Sequence, residues 1–326
     1  MKFKGLILVS LGACSYGILS TLVVLAYRAG YSLNDVIGSQ TVLGAILLWF
    51  FVVAGVLVKK ARLVWPTRRQ GLLMLLTGTT TGLTGLLYYA SLQYLSPALG
   101  VVLFLQFTWM GVAINAFIDR KIPPVMTMVS VVVILIGTVL ATGLLNSSGI
   151  VFHWLGVLLG LCAALSNAIR VYVSGALAVK TDPMMRSAIM VTGGAILTSI
   201  VVPPIFLLSA STFQSLFFSY GLPLAFFGSF FGMWMFAKGT PLIGTSLATI
   251  VSSMQLPVTI LLSVTVLHLP LEFIQFVCVA VILMGVTIAE LKIKTNKYNS
   301  KRSLVWILNP AWKSCFSCNI LFGEVG

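Results

Sequence analysis

Long apolar runs separated by short polar stretches make up most of the sequence between residues 5 and 290. Each run is close to the about 20 residues that an α-helix needs to cross the hydrocarbon core of a bilayer. The predicted spans are 5–27, 35–58, 71–91, 97–118, 123–144, 154–177, 187–209, 220–237, 242–267 and 270–290. The pattern therefore predicts an all-α membrane protein with ten transmembrane helices.

Composition and charge support a membrane protein and exclude a soluble domain. Hydrophobic residues make up 59% of the chain and charged residues only 8%, whereas a soluble domain has roughly 25% charged residues. The net charge is +14, but the basic residues lie between apolar runs and not together on a water-facing surface, which disfavours a nucleic-acid partner.

The distribution of the basic residues predicts the orientation in the membrane. With the N-terminus inside, only Arg28 and Arg170 of the 20 Lys and Arg residues fall outside the cytoplasmic stretches, as the positive-inside rule requires. We therefore expect a multi-pass cell-membrane protein with both termini in the cytoplasm. The compact loops and few acidic residues favour a bacterial inner membrane.

The chain matches itself at a period of about 150 residues. Ala13-Cys14-Ser15-Tyr16-Gly17-Ile18 aligns with Ala164-Leu165-Ser166-Asn167-Ala168-Ile169, and Gly78-x-x-x-Gly82 recurs as Gly228-x-x-x-Gly232. Further matches follow in the same order, so each repeat has five spans, and an odd number places the second repeat upside down relative to the first.

The predicted domains are therefore a first five-helix repeat at 5–144, an inverted second repeat at 150–291 and a basic cytoplasmic tail at 292–326. Inverted repeats place a substrate cavity near the middle of the membrane. The four repeated glycines, Gly78, Gly82, Gly228 and Gly232, predict close helix packing, and the sequence leaves open whether these contacts are static or take part in gating.

The junction Ala90-Ser91-Leu92-Gln93-Tyr94-Leu95-Ser96-Pro97-Ala98-Leu99 resembles the one between the third and fourth helices of the EamA-type drug/metabolite transporters. The stretch Ala237-Lys238-Gly239-Thr240-Pro241-Leu242-Ile243-Gly244-Thr245 is a weaker copy. The five-plus-five spans and the small residues of the first helix fit the same family, over about residues 5–291. The resemblance implies a ten-helix carrier or exporter of small metabolites. The family often has a Glu after helix 4 and another after helix 9, where this chain has Asp119 and His268.

Ionisable residues at membrane depth are costly and usually functional. The sequence places no carboxylate in the middle of a span, which disfavours a proton relay built on Asp or Glu, although His268 leaves coupling open. Arg170 lies roughly 10 Å from the cytoplasmic end of its helix at 1.5 Å per residue. It either faces the cavity and pairs with an anionic substrate group or extends to the inner headgroups.

Other polar and aromatic side chains within the spans could line a substrate path. Together with Arg170, the candidates for substrate binding are Tyr16, Gln40, Tyr88, Tyr89, Gln106, Trp109, Asn167, Trp234 and Gln255. Buried amides need hydrogen-bond partners, which these residues could find in water and substrate or in a neighbouring helix. Pro257 is predicted to distort the ninth helix.

The sequence gives little material for other functions. Cys315-x-x-Cys318 has no nearby His to complete a zinc site, so we predict reduced thiols, no metal and no cofactor. No nucleotide-binding loop is present that could drive an ATP-dependent pump. A membrane enzyme is disfavoured because the spans lack a nucleophile with a base.

The predicted function is a secondary transporter that exports a small metabolite, such as an amino acid or a drug-like amphiphile, by alternating access. The alternative is a lipid scramblase or a membrane interaction protein without solute transport. The expected partners are a small-molecule substrate and the lipid bilayer, and the sequence leaves a homodimer open.

Overall fold

The structure is a computed structural model of the chain. It describes residues 2–59, 65–91, 94–95, 103–120, 122–141, 153–203 and 214–267, together with residues 277, 280, 281, 284 and 285. Every secondary-structure element within these residues is a helix, which confirms the predicted all-α class.

We number the described helical stretches α1 to α9 in chain order. They are α1 Lys2–Arg28, α2 Leu33–Lys59, α3 Arg68–Ser91, α4 Phe107–Asp119, α5 Val125–Ala141, α6 Trp154–Ala176, α7 Pro183–Val201, α8 Gln214–Ile243 and α9, which consists of Thr245–Val251, a 3-10 turn at Ser252–Met254, and Gln255–Thr265.

Seven of the described helices are long and apolar enough to cross a membrane, and the apolar helices Leu103–Asp119 and Val125–Ile136 are shorter. The predicted location in a membrane is thereby confirmed. The tenth predicted span, 270–290, lies almost entirely outside the described residues, so the count of ten stays a prediction. His268, Cys315 and Cys318 also lie outside the described residues, so the interpretations given for them stay predictions.

Helix α7 begins earlier than the predicted residue 187. Asp182 caps it, because its carboxylate accepts hydrogen bonds from the backbone N–H groups of Met184 at 2.8 Å and Met185 at 3.4 Å, and Pro183 follows at the first helical position. This Asp-Pro pair is a strong helix start. It places Arg186, which the charge distribution had assigned to a cytoplasmic stretch, inside the helix bundle.

Helix α8 is longer than its predicted span and is irregular. Two π-helical segments, Phe217–Gly221 and Ala225–Phe231, interrupt it. The wider π turns are often found at functional sites. Helix α8 ends where Gly244 adopts a φ of +89°, a conformation that glycine adopts without strain, and α9 starts directly after it.

The helices pack in matched combinations. Helix α1 lies against α8 and α9, and α6 lies in the same way against α3 and α4. Helix α2 contacts α8, and α7 contacts α3. Helices α2 and α7 contact each other. Each of these contacts thus has a counterpart when α1 to α4 are exchanged with α6 to α9, whereas the contacts of α6 with α8 and α9 have none of comparable extent.

The repeated glycines lie at these contacts. A Cβ atom on Gly78 would collide with the backbone of Met190 in α7, and a Cβ atom on Gly228 would lie 2.7 Å from Nε2 of Gln40 in α2. Because these glycines have no side chain, α3 and α8 approach the neighbouring helices more closely than any other residue at these positions would allow.

Candidate functional site

The buried guanidinium of Arg170 lies where α1, α6 and α8 meet, and its side chain is only 5% exposed. Its Nε and Nη2 both donate to Oδ1 of Asn167, at 3.0 and 2.7 Å, and its Nη1 donates to the Tyr16 hydroxyl at 3.1 Å. Asn167 lies one helical turn nearer the N-terminal end of α6, so the guanidinium points away from the predicted cytoplasmic end of the helix. This geometry does not fit a side chain that extends to the inner headgroups.

Two further residues of this site were not predicted from the sequence. Nη1 of Arg170 also lies 3.3 Å from Sδ of Met233, and its Cζ lies 5.4 Å from the ring centroid of Phe236 and 5.0 Å from that of Tyr16. The two rings therefore stabilise the cation through their faces. Met233 and Phe236 lie in an apolar run of α8, and nothing in the hydropathy pattern distinguishes them from lipid-facing residues.

Helix α8 presents its glycines to the candidate side chains of α1 and α2. A Cβ atom on Gly232 would lie 2.9 Å from Cζ of Tyr16, and Gly228, one turn away, faces Gln40. The backbone carbonyl of Gln40 also accepts a hydrogen bond from Ser229 at 2.9 Å. The two glycines thus make room for two predicted site residues on the same face of α8.

The contacts continue from Gln40 into α3. The Tyr89 hydroxyl donates to Oε1 of Gln40 at 3.3 Å, and the ring centroids of Tyr88 and Tyr89 are 5.8 Å apart. The Tyr16 ring packs against the same buried cluster as Tyr88. Six of the ten candidates, which we call the central network, are therefore close together: Tyr16, Gln40, Tyr88, Tyr89, Asn167 and Arg170.

The other four candidates lie elsewhere. Trp109 donates to Oε1 of Gln106 at 2.8 Å, and Trp109 lines a groove of about 680 Å³ between α4 and α5 whose walls are otherwise almost entirely apolar. The ring of Trp234 lies 5.2 Å from Nζ of Lys238. Gln255 is half-buried, and its backbone carbonyl lies beside Gly17 of α1.

A second buried arginine lies near the ends of α6 and α8. Arg186 is 1% exposed, its Nη1 donates to the carbonyl of Ala237 at 3.1 Å, and its Nη2 donates to the carbonyl of Ser174. Pro241, four residues after Ala237, has no N–H to give to that carbonyl, and Ser174 is among the last four residues of α6, whose carbonyls lack helical partners. Arg186 therefore binds two carbonyls that the helices themselves leave free.

The described residues contain no group of three or more His, Cys, Asp or Glu side chains that could hold a metal ion. Within the described part of the chain, the central network consequently offers one cation, amides and phenol groups, and Met233 adds a thioether beside the cation. Such a set can bind a small polar or anionic group by hydrogen bonds, and it offers no ligands of the kind that hold a structural or catalytic metal.

Comparison with solved structures shows the fold. A structure described only as "Crystal structure of protein" is similar over 87% of this chain and 98% of its own, with a TM-score of 0.65 and 15% sequence identity. At that identity the likeness concerns the fold alone. No curated protein matches the chain.

Comparison with protein families finds a match to the second half of the chain. Residues 154–290, which include α6 to α9, match the EamA-like transporter family. Proteins of this family are transporters and not typically enzymes. The match confirms, for residues 154–290, the resemblance predicted from the sequence.

Proposed function

We propose that the protein is a secondary transporter that moves a small metabolite across the cell membrane by alternating access between two inverted repeats, 5–144 and 150–291. The family match to residues 154–290 supports a membrane transporter of small solutes. The matched packing of α1 to α4 and α6 to α9 supports the repeat, because the most extensive contacts between helices have counterparts when the two halves are exchanged.

The observation that carries the proposal is the meeting of repeat-related residues at the central network. Tyr16 and Asn167 align in the two repeats, and both hydrogen bond to Arg170. Their neighbours Ser15 and Ser166 also align, and each donates to a backbone carbonyl, Ser15 to α8 at 2.6 Å and Ser166 to α3 at 3.0 Å. These contacts support two halves that face each other through equivalent positions, the arrangement expected of a carrier built from inverted repeats.

We place the substrate at the interface between the halves, where the ten candidate residues named above would line its path and the central network would form its core. Phenol rings and amides suit a small solute with both polar and apolar parts, such as an amino acid or a drug-like amphiphile. Export is the proposed direction. In this proposal the repeated glycines allow the halves to move against each other at close range.

Reconstitution into liposomes tests the function. Purified protein should give saturable uptake of labelled solutes, and an excess of unlabelled solute preloaded inside should accelerate that uptake, because a carrier that returns loaded exchanges faster than one that returns empty. Protein-free liposomes are the control. Movement of fluorescent lipid between leaflets without solute flux would instead identify a scramblase, and solute flux that does not saturate would contradict alternating access.

A further inference from the structure

Arg170 carries a positive charge that is neutralised by none of its contacts in the described part of the chain. Its acceptors are the amide of Asn167, the hydroxyl of Tyr16 and the thioether of Met233, and all three are neutral. The described acidic residues are at helix ends, where Asp35 binds Ser32 and Asp182 caps α7, while Asp119 is the last residue of α4. A buried cation without a counter-ion is costly.

A purely structural role would not require this charge. A glutamine could bridge α1, α6 and α8 with neutral hydrogen bonds and would avoid the cost of an ionised group at membrane depth. The Tyr16 and Phe236 rings offset part of that cost by facing the guanidinium at 5.0 and 5.4 Å, but they do not neutralise it. Among the residues that the structure describes, the site therefore lacks a negative charge to balance Arg170.

The geometry shows which edge of the guanidinium is left for a ligand. Oδ1 of Asn167 occupies the edge formed by Nε and Nη2. The other edge, formed by Nη1 and Nη2, meets the thioether of Met233 at 3.3 Å. A thioether is a weak acceptor on a flexible side chain, so it can be displaced, and this edge is the one that binds a carboxylate through two parallel hydrogen bonds.

We propose that the substrate is a small organic anion whose carboxylate binds the Nη1–Nη2 edge of Arg170 and displaces Met233. The Tyr16 hydroxyl, which accepts a hydrogen bond from Arg170, donates its own proton to the same carboxylate. The Tyr16 and Phe236 rings flank the apolar or aromatic body of the molecule. This inference rests on the proposed transporter function and adds the substrate class.

The test uses matched acids and amides in proteoliposomes. Labelled N-acetyl-phenylalanine and N-acetyl-leucine each carry one carboxylate on an apolar body, and their amides differ from them only by loss of that charge. Wild-type protein should move the acids faster than the amides, and Arg170→Gln should reduce kcat/KM for the acids by about 10- to 100-fold, the effect of one charge-assisted hydrogen-bonded pair, and so lower the ratio of acid to amide transport. Arg170→Lys keeps the charge but loses the planar guanidinium, so its kcat/KM for the acids should lie between those of the wild type and Arg170→Gln.

Two further measurements keep the result interpretable. If Arg170→Gln does not fold, Tyr16→Phe retains the ring and removes only the hydroxyl, and it should raise KM for the acids more than for the amides. Thermal unfolding in detergent should show that N-acetyl-phenylalanine stabilises the wild type more than its amide does, and that this difference is smaller in Tyr16→Phe.

The outcomes separate the inference from the function on which it rests. Saturable flux of the amides without flux of the acids would overturn the carboxylate site and leave a carrier. Equal acid flux in wild type, Arg170→Gln and Tyr16→Phe would also overturn it. Absence of flux for every solute, together with lipid movement, would instead reject the proposed transporter function.

Discussion

The strength of the hydrogen bond between Arg186 and the carbonyl of Ala237 can be measured with a double-mutant cycle. Pro241 leaves this carbonyl without a helical partner. In the wild type, Arg186→Met leaves two buried carbonyls without partners, those of Ala237 and Ser174. In a Pro241→Ala background, the new backbone N–H at position 241 can bind Ala237, so that the same Arg186 substitution leaves only one carbonyl unpaired.

The expected size follows from that difference. One buried acceptor without a partner costs about 1–3 kcal/mol. Arg186→Met should therefore reduce the free energy of unfolding by about 1–3 kcal/mol more in the wild type than in Pro241→Ala. The change in charge desolvation is the same in both backgrounds and cancels in the cycle, whatever the effect of either single substitution.

The measurement is reversible unfolding in mixed micelles with increasing sodium dodecyl sulfate, followed by far-UV circular dichroism. Pro257 provides the matched control, because it also lies within a helix, α9, but contributes no group to the Arg186 contacts. The Arg186→Met and Pro257→Ala effects should add. If the Arg186→Met and Pro241→Ala effects add equally well, the assignment of Arg186 to the proline-freed carbonyl is wrong.

Two other predictions concern the packing between halves. Gly78→Ala should lower the free energy of unfolding by about 1–3 kcal/mol, because its Cβ would meet the backbone of Met190. Gly85→Ala on the same helix, with its nearest neighbour 4.0 Å away, should leave stability unchanged or raise it by up to about 1 kcal/mol; equal effects in unfolding curves would refute the close approach of α3 and α7. Ser15→Ala and Ser166→Ala should each cost about 0.5–1.5 kcal/mol, and an effect confined to one of them would argue against equivalent contacts in the two halves.

Hydropathy was sufficient to predict the described helices because the length of an apolar run and the need to pair every backbone group leave few alternatives in a membrane. The alignment of Tyr16 with Asn167 also identified two side chains that meet in space. This is the result expected of the proposed inverted repeats, in which equivalent positions face the same interface even where the residue types differ.

The sequence was less informative where tertiary contacts decide. Arg186 was counted with the cytoplasmic charges because hydropathy carries no information on hydrogen bonds between helices. It could not show that the Ala237 carbonyl, which Pro241 leaves without a helical partner, binds this side chain. Met233 and Phe236 looked like any apolar residues, since the direction of a side chain depends on which helix packs beside it. The π-helical segments of α8 have no sequence signature of comparable strength.

Those π-helical segments also make the two halves unequal. Helix α3, the proposed repeat partner of α8, is α-helical from Arg68 to Ser91, whereas α8 contains wider turns at Phe217–Gly221 and Ala225–Phe231. In a pair of identical halves, the inward-facing and outward-facing forms would have the same energy and equal populations. Under the proposed alternating access, unequal halves give the empty protein an intrinsic resting side, and each 1.4 kcal/mol of inequality shifts that preference tenfold.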